Sequence, residues 1–274
     1  MRCMTGGLLR HGVRSVLAKL ALVLLMVAYM PIDLSAQLPD ASNQVPDLTG
    51  IWSRGRNNCT PNGVTCPFVF SEIPLKARAI GFMAAWDEAA GPKYDCVPAT
   101  SPSVVADPYS IQIEQQIDRV IFTYEKDDIV RTVWLEGHGH PDPQPYDFTV
   151  QGYSAGRYEG GNLVVETTKF TFDPHGLDDM ANVPSSTLKR VVESYSSDGE
   201  NMRAEVVTED PVFLNGPIQF TIEWVPQDEP LILPYACLPE LARQPAQFIP
   251  SKYEDPDMFR VRLPAAFPPA GEPE

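Results

Sequence analysis

Basic residues are scarce in this 274-residue chain. Only 21 Lys and Arg stand against 36 Asp and Glu, a formal net charge of −15. A nucleic-acid backbone is therefore a poor partner, because phosphate binding needs clustered Lys and Arg. Long apolar runs are missing as well: the stretch Leu20–Met30 is well short of the ~20 residues a membrane-spanning helix requires. There are five cysteines and four histidines, and the cysteine spacings match no compact four-cysteine zinc pattern. The glycines of Gly152–Gly160 recur at a spacing of four, yet the strand–turn–helix context of a phosphate loop does not follow them.

What is plentiful is proline. The chain holds 28, about twice the usual share of roughly 5%, and proline is excluded from helix interiors and central strands. With 43% hydrophobic and 21% charged residues, this is the composition of a globular protein made of short strands and many turns.

The first 36 residues read as a secretory signal peptide. Arg2, Arg10, Arg14 and Lys19 precede the apolar run, and Pro31 and Leu34-Ser35-Ala36 follow it, which is the order of basic region, apolar region and small-residue cleavage site. The alternative is an uncleaved amphipathic anchor. Cleavage removes four basic residues and Asp33, leaving 17 Lys and Arg against 35 Asp and Glu, a charge of −18. No membrane span is expected after removal, and the protein is expected to be periplasmic or secreted.

Four cysteines then remain, an even number that suits an oxidising compartment. Among the three pairings the expected one is Cys59–Cys66, across the turn-rich CTPNGVTC, with Cys96–Cys237 tying an early segment to a late one.

Residues 37–109 read as an extended opening segment, in which Leu48–Trp52 is a first strand or a plug over the core. One helix is expected, over 74–89: Pro74 suits its first turn, Ser71 is a candidate cap, and Leu75, Ala79, Phe82, Met83 and Trp86 recur at helical spacing. From 110 to 237 the signal is β. Arg119–Glu125 alternates, Lys126-Asp127-Asp128 turns, and Ile129–Leu135 answers it. Segments 148–158, 162–170, 188–195, 202–208, 218–225 and 231–236 follow. Gly160-Gly161 and Asp198-Gly199 supply hairpin turns. The expected fold is all-β in the main: an antiparallel, up-and-down curled sheet or barrel, with one N-terminal helix and Pro-rich arms. Closure removes exposed strand edges. Residues 238–274 read as an extended Pro-rich tail.

Between Cys96 and Cys237 the chain resembles uncharacterised exported bacterial proteins with lipocalin-like, or calycin-like, β-barrels. The residues that carry the resemblance are Cys96-Val-Pro, the hairpin Arg119–Leu135, Glu136-Gly-His-Gly-His-Pro141, Gly152–Gly160 running into Leu163–Thr167, Ser185-Ser186 and Tyr235-Ala-Cys237. Tyr153 departs from a position that is often His in that group. The resemblance implies a barrel and an exported location, and no activity.

The densest polar cluster is Glu136, His138, His140, Asp142 and Asp147, with Tyr153, Arg157 and Glu159 one strand later. His138 and His140 alternate by two, so an extended backbone points both to one side. Such a pair with a carboxylate serves acid–base chemistry or a metal; equally, Gly137, Gly139 and Pro141 mark a solvated strand end. His175 lies in a long connection, 171–184, with Asp178 and Asp179, and reads either as a binding loop or as an ordinary Asp-rich loop.

Three functions follow. The first is a binding module that holds a small apolar or amphipathic ligand in the barrel interior, with Trp134, His138, Arg157 and His175 as contacts. The second is an accessory subunit partnered with an envelope protein complex. The third is a hydrolase, lyase or isomerase with His140, Asp142, Tyr153 and Glu159 as its working groups. No cofactor and no metal ligand is assigned.

Overall fold

The structure, a computed structural model, describes residues 45–54, 73–139, 142–179, 181–227 and 231–249. Residues 1–36, whose sequence reads as a signal peptide, together with Cys59, Cys66, Ser71, His140 and the end of the tail, lie outside the described residues.

Nine strands close into one barrel. In chain order they are β1 (Gly50–Arg54), β2 (Ile111–Gln115), β3 (Arg119–Tyr124), β4 (Val130–Leu135), β5 (Tyr153–Glu159), β6 (Asn162–Thr168), β9 (Arg190–Ser197), β10 (Met202–Glu209) and β11 (Ile218–Pro226). Two more strands, β7 (Asp173–Asp178) and β8 (Val183–Ser185), pair with each other outside it. Neighbours in the barrel run β1-β11-β10-β9-β6-β5-β4-β3-β2 and back to β1. All pairs are antiparallel except β4–β5, which is parallel. The fold is thus the mainly-β barrel that the alternation predicts.

Alternation sets the interior. Val120, Phe122 and Tyr124 of β3 face Arg131, Val133 and Leu135 of β4 and Val191, Glu193 and Tyr195 of β9 within one core, with Ile111, Ile113, Met202, Ala204, Ile222 and Trp224. Phe122, Tyr195 and Trp224 are among the largest fully buried side chains. Burying each such side chain contributes roughly 1.5–3 kcal/mol, and these side chains line the barrel interior.

Several expected boundaries move. Helix α1 spans Ala77–Ala85 only, with Lys76 as its N-cap; Glu88–Ala90 and Pro92–Asp95 follow as separate 3₁₀ turns. Pro74 and Leu75 precede the helix, because Leu75 bridges to Leu214 and Lys76 N donates to Phe213 O. Leu231–Ala236 forms no strand: β11 already has β1 and β10 as partners, so no barrel edge is left for it. The connection 171–184 is not a solvated loop but the β7–β8 hairpin, and Asp178 is buried. Ala79 and Met83 of α1 cover that hairpin in a second apolar cluster with Leu177, Val183, Phe213 and Ile218.

A plug stops one end of the barrel. Thr100, Ser101, Ser103, Val104 and Val105 are buried, the last three opening the short helix α2 (Ser103–Ala106). Val104 and Val105 join the barrel core, and Ser101 Oγ reaches inside to donate to Glu193 Oε1 at 2.6 Å. From behind, Lys189 Nζ donates to Ser101 O at 2.7 Å and to Gly176 O at 3.1 Å, so one side chain joins plug, hairpin and barrel; burial lowers its pKa to about 7. Cys96 and Cys237 are bonded, with Cα atoms 5.8 Å apart. No helix among the described residues is long and apolar enough to cross a membrane.

Candidate functional site

The two ends of the β3–β4 hairpin separate the two groups of polar residues picked out in the sequence. Arg119 pairs with Trp134 at one end and Thr123 with Val130 at the other. Glu136, next to Leu135, therefore lies at the end away from the Lys126–Asp128 turn. There an open groove is lined by Glu136, His138 and Arg157 with Gln115, Gln116, Leu135 and Tyr158. His138 and Glu136 are exposed, and Arg157 Nε donates to Glu159 Oε2 at 2.8 Å. Trp134 is half-buried beneath the Arg119 guanidinium, 4.6 Å from its ring. Asp142 and Asp147 are exposed, and Asp147 Oδ2 caps Gln144 N. Tyr153 begins β5; burial, with Asp142 nearby, raises the pKa of its phenol. These residues make no enclosed site.

At the plugged end the geometry differs. A cleft of about 230 Å³ lies against the outer face of the plug. Its floor is Pro98, Ala99, Thr100 and Ser103; one side is Lys126 and Asp127 of the β3–β4 turn. Asp173, His175 and Asp179 come from the β7–β8 hairpin, and Lys93 and Tyr94 from the 3₁₀ turn before Cys96. Tyr235, Cys237 and Ala242 supply the last wall. That wall is held by the Cys96–Cys237 bond, by the Asp128 carboxylate accepting from Tyr235 N and Ala236 N at 2.9 and 3.0 Å, and by the Arg243–Asp95 ion pair.

Two buried side chains of this cleft carry polar atoms without a hydrogen-bond partner among the described residues: His175 Nε2 and Ser103 Oγ. Each residue is only 4% exposed. Leaving a buried polar group unsatisfied costs about 1–3 kcal/mol; other buried atoms such as Tyr124 OH and Thr208 Oγ1 share that state, and what sets these two apart is that both residues line one cleft. His175 is fixed sterically. Its ring packs edge-on against Trp86, 5.8 Å between centroids. A Cβ on Gly91 would stand 2.7 Å from its Cε1, so only glycine permits this approach. Burial, with Lys93 nearby, lowers its pKa to about 4, which keeps the imidazole neutral at pH 7.

Carboxyl groups crowd the same region. Asp107 stands beside Asp179, Lys126, Asp127 and Arg54; burial first, then Asp179, raises its pKa to about 7. Burial likewise raises that of Asp173, although its carboxylate accepts from His175 N at 2.8 Å. The cations are already engaged. Lys93 Nζ meets Glu88 Oε1 and Asp179 O, while Lys126 Nζ meets Asp127 and the Tyr235 hydroxyl. Among the described residues no group of three or more His, Cys, Asp and Glu is arranged to hold a metal ion.

A second polar set sits inside the barrel. Arg131 and Glu193, both almost wholly buried, pair at 2.8 Å. The guanidinium also donates to Ser154 Oγ at 2.8 Å and Thr167 Oγ1 at 2.6 Å, and Tyr195 OH donates to Glu193 Oε2 at 3.3 Å. Glu193 and the neighbouring tyrosines raise the Arg131 pKa further against its burial. Gly152-Tyr153-Ser154-Ala155-Gly156 spells G-x-S-x-G, the pattern of a nucleophile elbow, whose serine stands on a sharp strand-to-helix turn. Here Ser154 lies within β5, which runs into β6, and its hydroxyl is bonded to Arg131 and Thr167. It is a structural hydroxyl.

Sequence reasoning therefore singled out His175, with Asp179, from the cleft and missed Ser103, Lys93, Asp173 and Tyr235 as its lining. The usable signal was Cys96–Cys237, which draws the Pro-rich passage after Cys96 and the segment around Tyr235 together. No protein-family model matches the chain, and neither a curated protein nor a solved structure gives a significant match.

Proposed function

We propose that this β-barrel protein is exported and binds a small amphipathic molecule, and that the molecule sits in the cleft outside the plugged end rather than in the barrel. The observation that carries this reading is the pair of orphaned, nine-tenths-buried atoms, His175 Nε2 and Ser103 Oγ, on the wall of one cleft. Ligand sites are concave, largely apolar and furnished with a few fixed polar groups. The cleft has that character, with Val97, Pro98, Ala99 and Ala242 as its apolar lining. The barrel interior instead holds the buried side chains of Phe122, Tyr195 and Trp224 and the Arg131–Glu193 pair.

Native mass spectrometry of the protein purified from its own cell envelope tests the reading. The expected spectrum shows the folded chain with one small added mass, weakened in Ser103→Ala and lost in Ser103→Ala with His175→Leu. A bare wild-type mass, or an added mass that survives both changes, contradicts it.

A second reading, subunit of an envelope complex, draws on one feature. The segment 231–249 leaves Leu231, Leu233, Leu238, Leu241 and Phe248 exposed. A partner chain in the same spectrum, lost when those residues become Ser, would favour it.

A further inference from the structure

Resting on the reading of the cleft as a small-molecule site, we propose that its occupant is an organic ammonium compound, a protonated amine on a short apolar body. The charges facing the cleft are unbalanced. Of the acids that line it, Asp127 comes from the β3–β4 turn and Asp173 and Asp179 from the β7–β8 hairpin; Glu88, Asp128, Asp107 and Asp210 stand outside the lining. Against these three lining carboxyl groups stand Lys93 and Lys126; outside the lining Arg54 faces Asp107, burial lowers the Lys189 pKa to about 7, and Asp95 and Arg243 cancel each other. The surplus is negative, and the whole chain carries −15.

The orphaned atoms suit the same head group. An ammonium has three donors and no acceptor. The neutral imidazole of His175 and the hydroxyl of Ser103 can each accept from it. Tyr94 and Tyr235 add ring faces of the kind that attract cations. Indeed, Lys126 already lies 5.2 Å from the Tyr235 ring and Lys93 5.4 Å from that of Tyr94. The apolar body would lie along Val97, Pro98, Ala99 and Ala242. An anionic head would instead meet a net negative wall.

A pH dependence follows. Burial and Asp179 hold part of Asp107 protonated near pH 7. An arriving cation favours the ionised carboxylate, so binding releases a proton and tightens as pH rises through about 7. Over the same range His175 stays neutral and available as an acceptor, its pKa being about 4, while Lys189, lowered to about 7 by burial, gives up its proton and so acts in the same direction as Asp107.

The test titrates the intact protein with three probes of one shape: n-butylammonium, n-butanol and n-butyrate. The readout is the His175 ring resonance. Saturable binding of n-butylammonium is expected to be at least tenfold tighter than of the other two, and to strengthen about tenfold between pH 6 and pH 8. Asp107→Asn should reduce the slope of that pH profile, leaving the part due to Lys189, and Asp179→Asn should weaken n-butylammonium selectively while n-butanol is unchanged. Thermal melts confirm that each variant is folded, and either one suffices. Equal or tighter binding of n-butanol or n-butyrate overturns the ammonium assignment and leaves the cleft as the binding site. No saturable shift from any probe, together with a bare native mass, overturns both.

Discussion

Arg131→Met is expected to destabilise the protein by about 3–5 kcal/mol, because it strands the Glu193 carboxylate in the barrel. Glu193 is 0% exposed, and its remaining partners would be the hydroxyls of Ser101 and Tyr195. Two hydroxyls replace a charge only in part. Against the roughly 5–15 kcal/mol by which folded domains are stable, the loss takes a large share. The double change Arg131→Met with Glu193→Leu should recover most of it, since two apolar groups of similar size need no partner. Urea unfolding of the three proteins measures this. A single variant as stable as the parent would mean that the pair does not organise the core.

Reduction of Cys96–Cys237, or Cys237→Ser, should have an effect of similar size. The bond spans 141 residues of sequence, and a loop of that length restrains the unfolded chain by about 4–5 kcal/mol in the chain-entropy model. A fall in Tm on the order of 10–15 °C follows for a chain of this size. The folded state should also change locally. Of the described segment 231–249 only Ala246 is buried, and the rest is held by Asp128, Lys126 and Asp95. Amide exchange around Tyr235 should therefore accelerate while β10 stays protected. Unchanged Tm and exchange on reduction would contradict the role given to the bond.

These two predictions also mark what a reader of the sequence can and cannot see. Strict alternation announces β3, β4, β6, β9 and β10 because one face of each is apolar and buried. Arg131 and Glu193 break that rule in the inward phase of their strands, in register with Val133 and Leu135 and with Val191 and Tyr195. A charge at an inward position was the available sign of a buried network. Strand β7 gives no such sign. Asp173-Pro-His-Gly-Leu-Asp178 has neither alternation nor β-branched residues, and it is buried because α1 and the plug cover it. Leu231–Ala236 misleads in the opposite direction, being apolar enough for a strand while the barrel has no open edge to receive it. The cleft was hidden for a third reason. Its residues come from five separate segments, and what joins them is a disulfide, a buried lysine and one glycine at His175.

A crystal structure of the protein purified from its own cell envelope tests the central claim most directly. The account predicts non-protein density beside His175, Ser103 and Tyr235, and a barrel axis occupied only by Phe122, Tyr195, Trp224 and the Arg131–Glu193 pair. Density for a ligand within the barrel, or a cleft holding nothing but solvent, would contradict it.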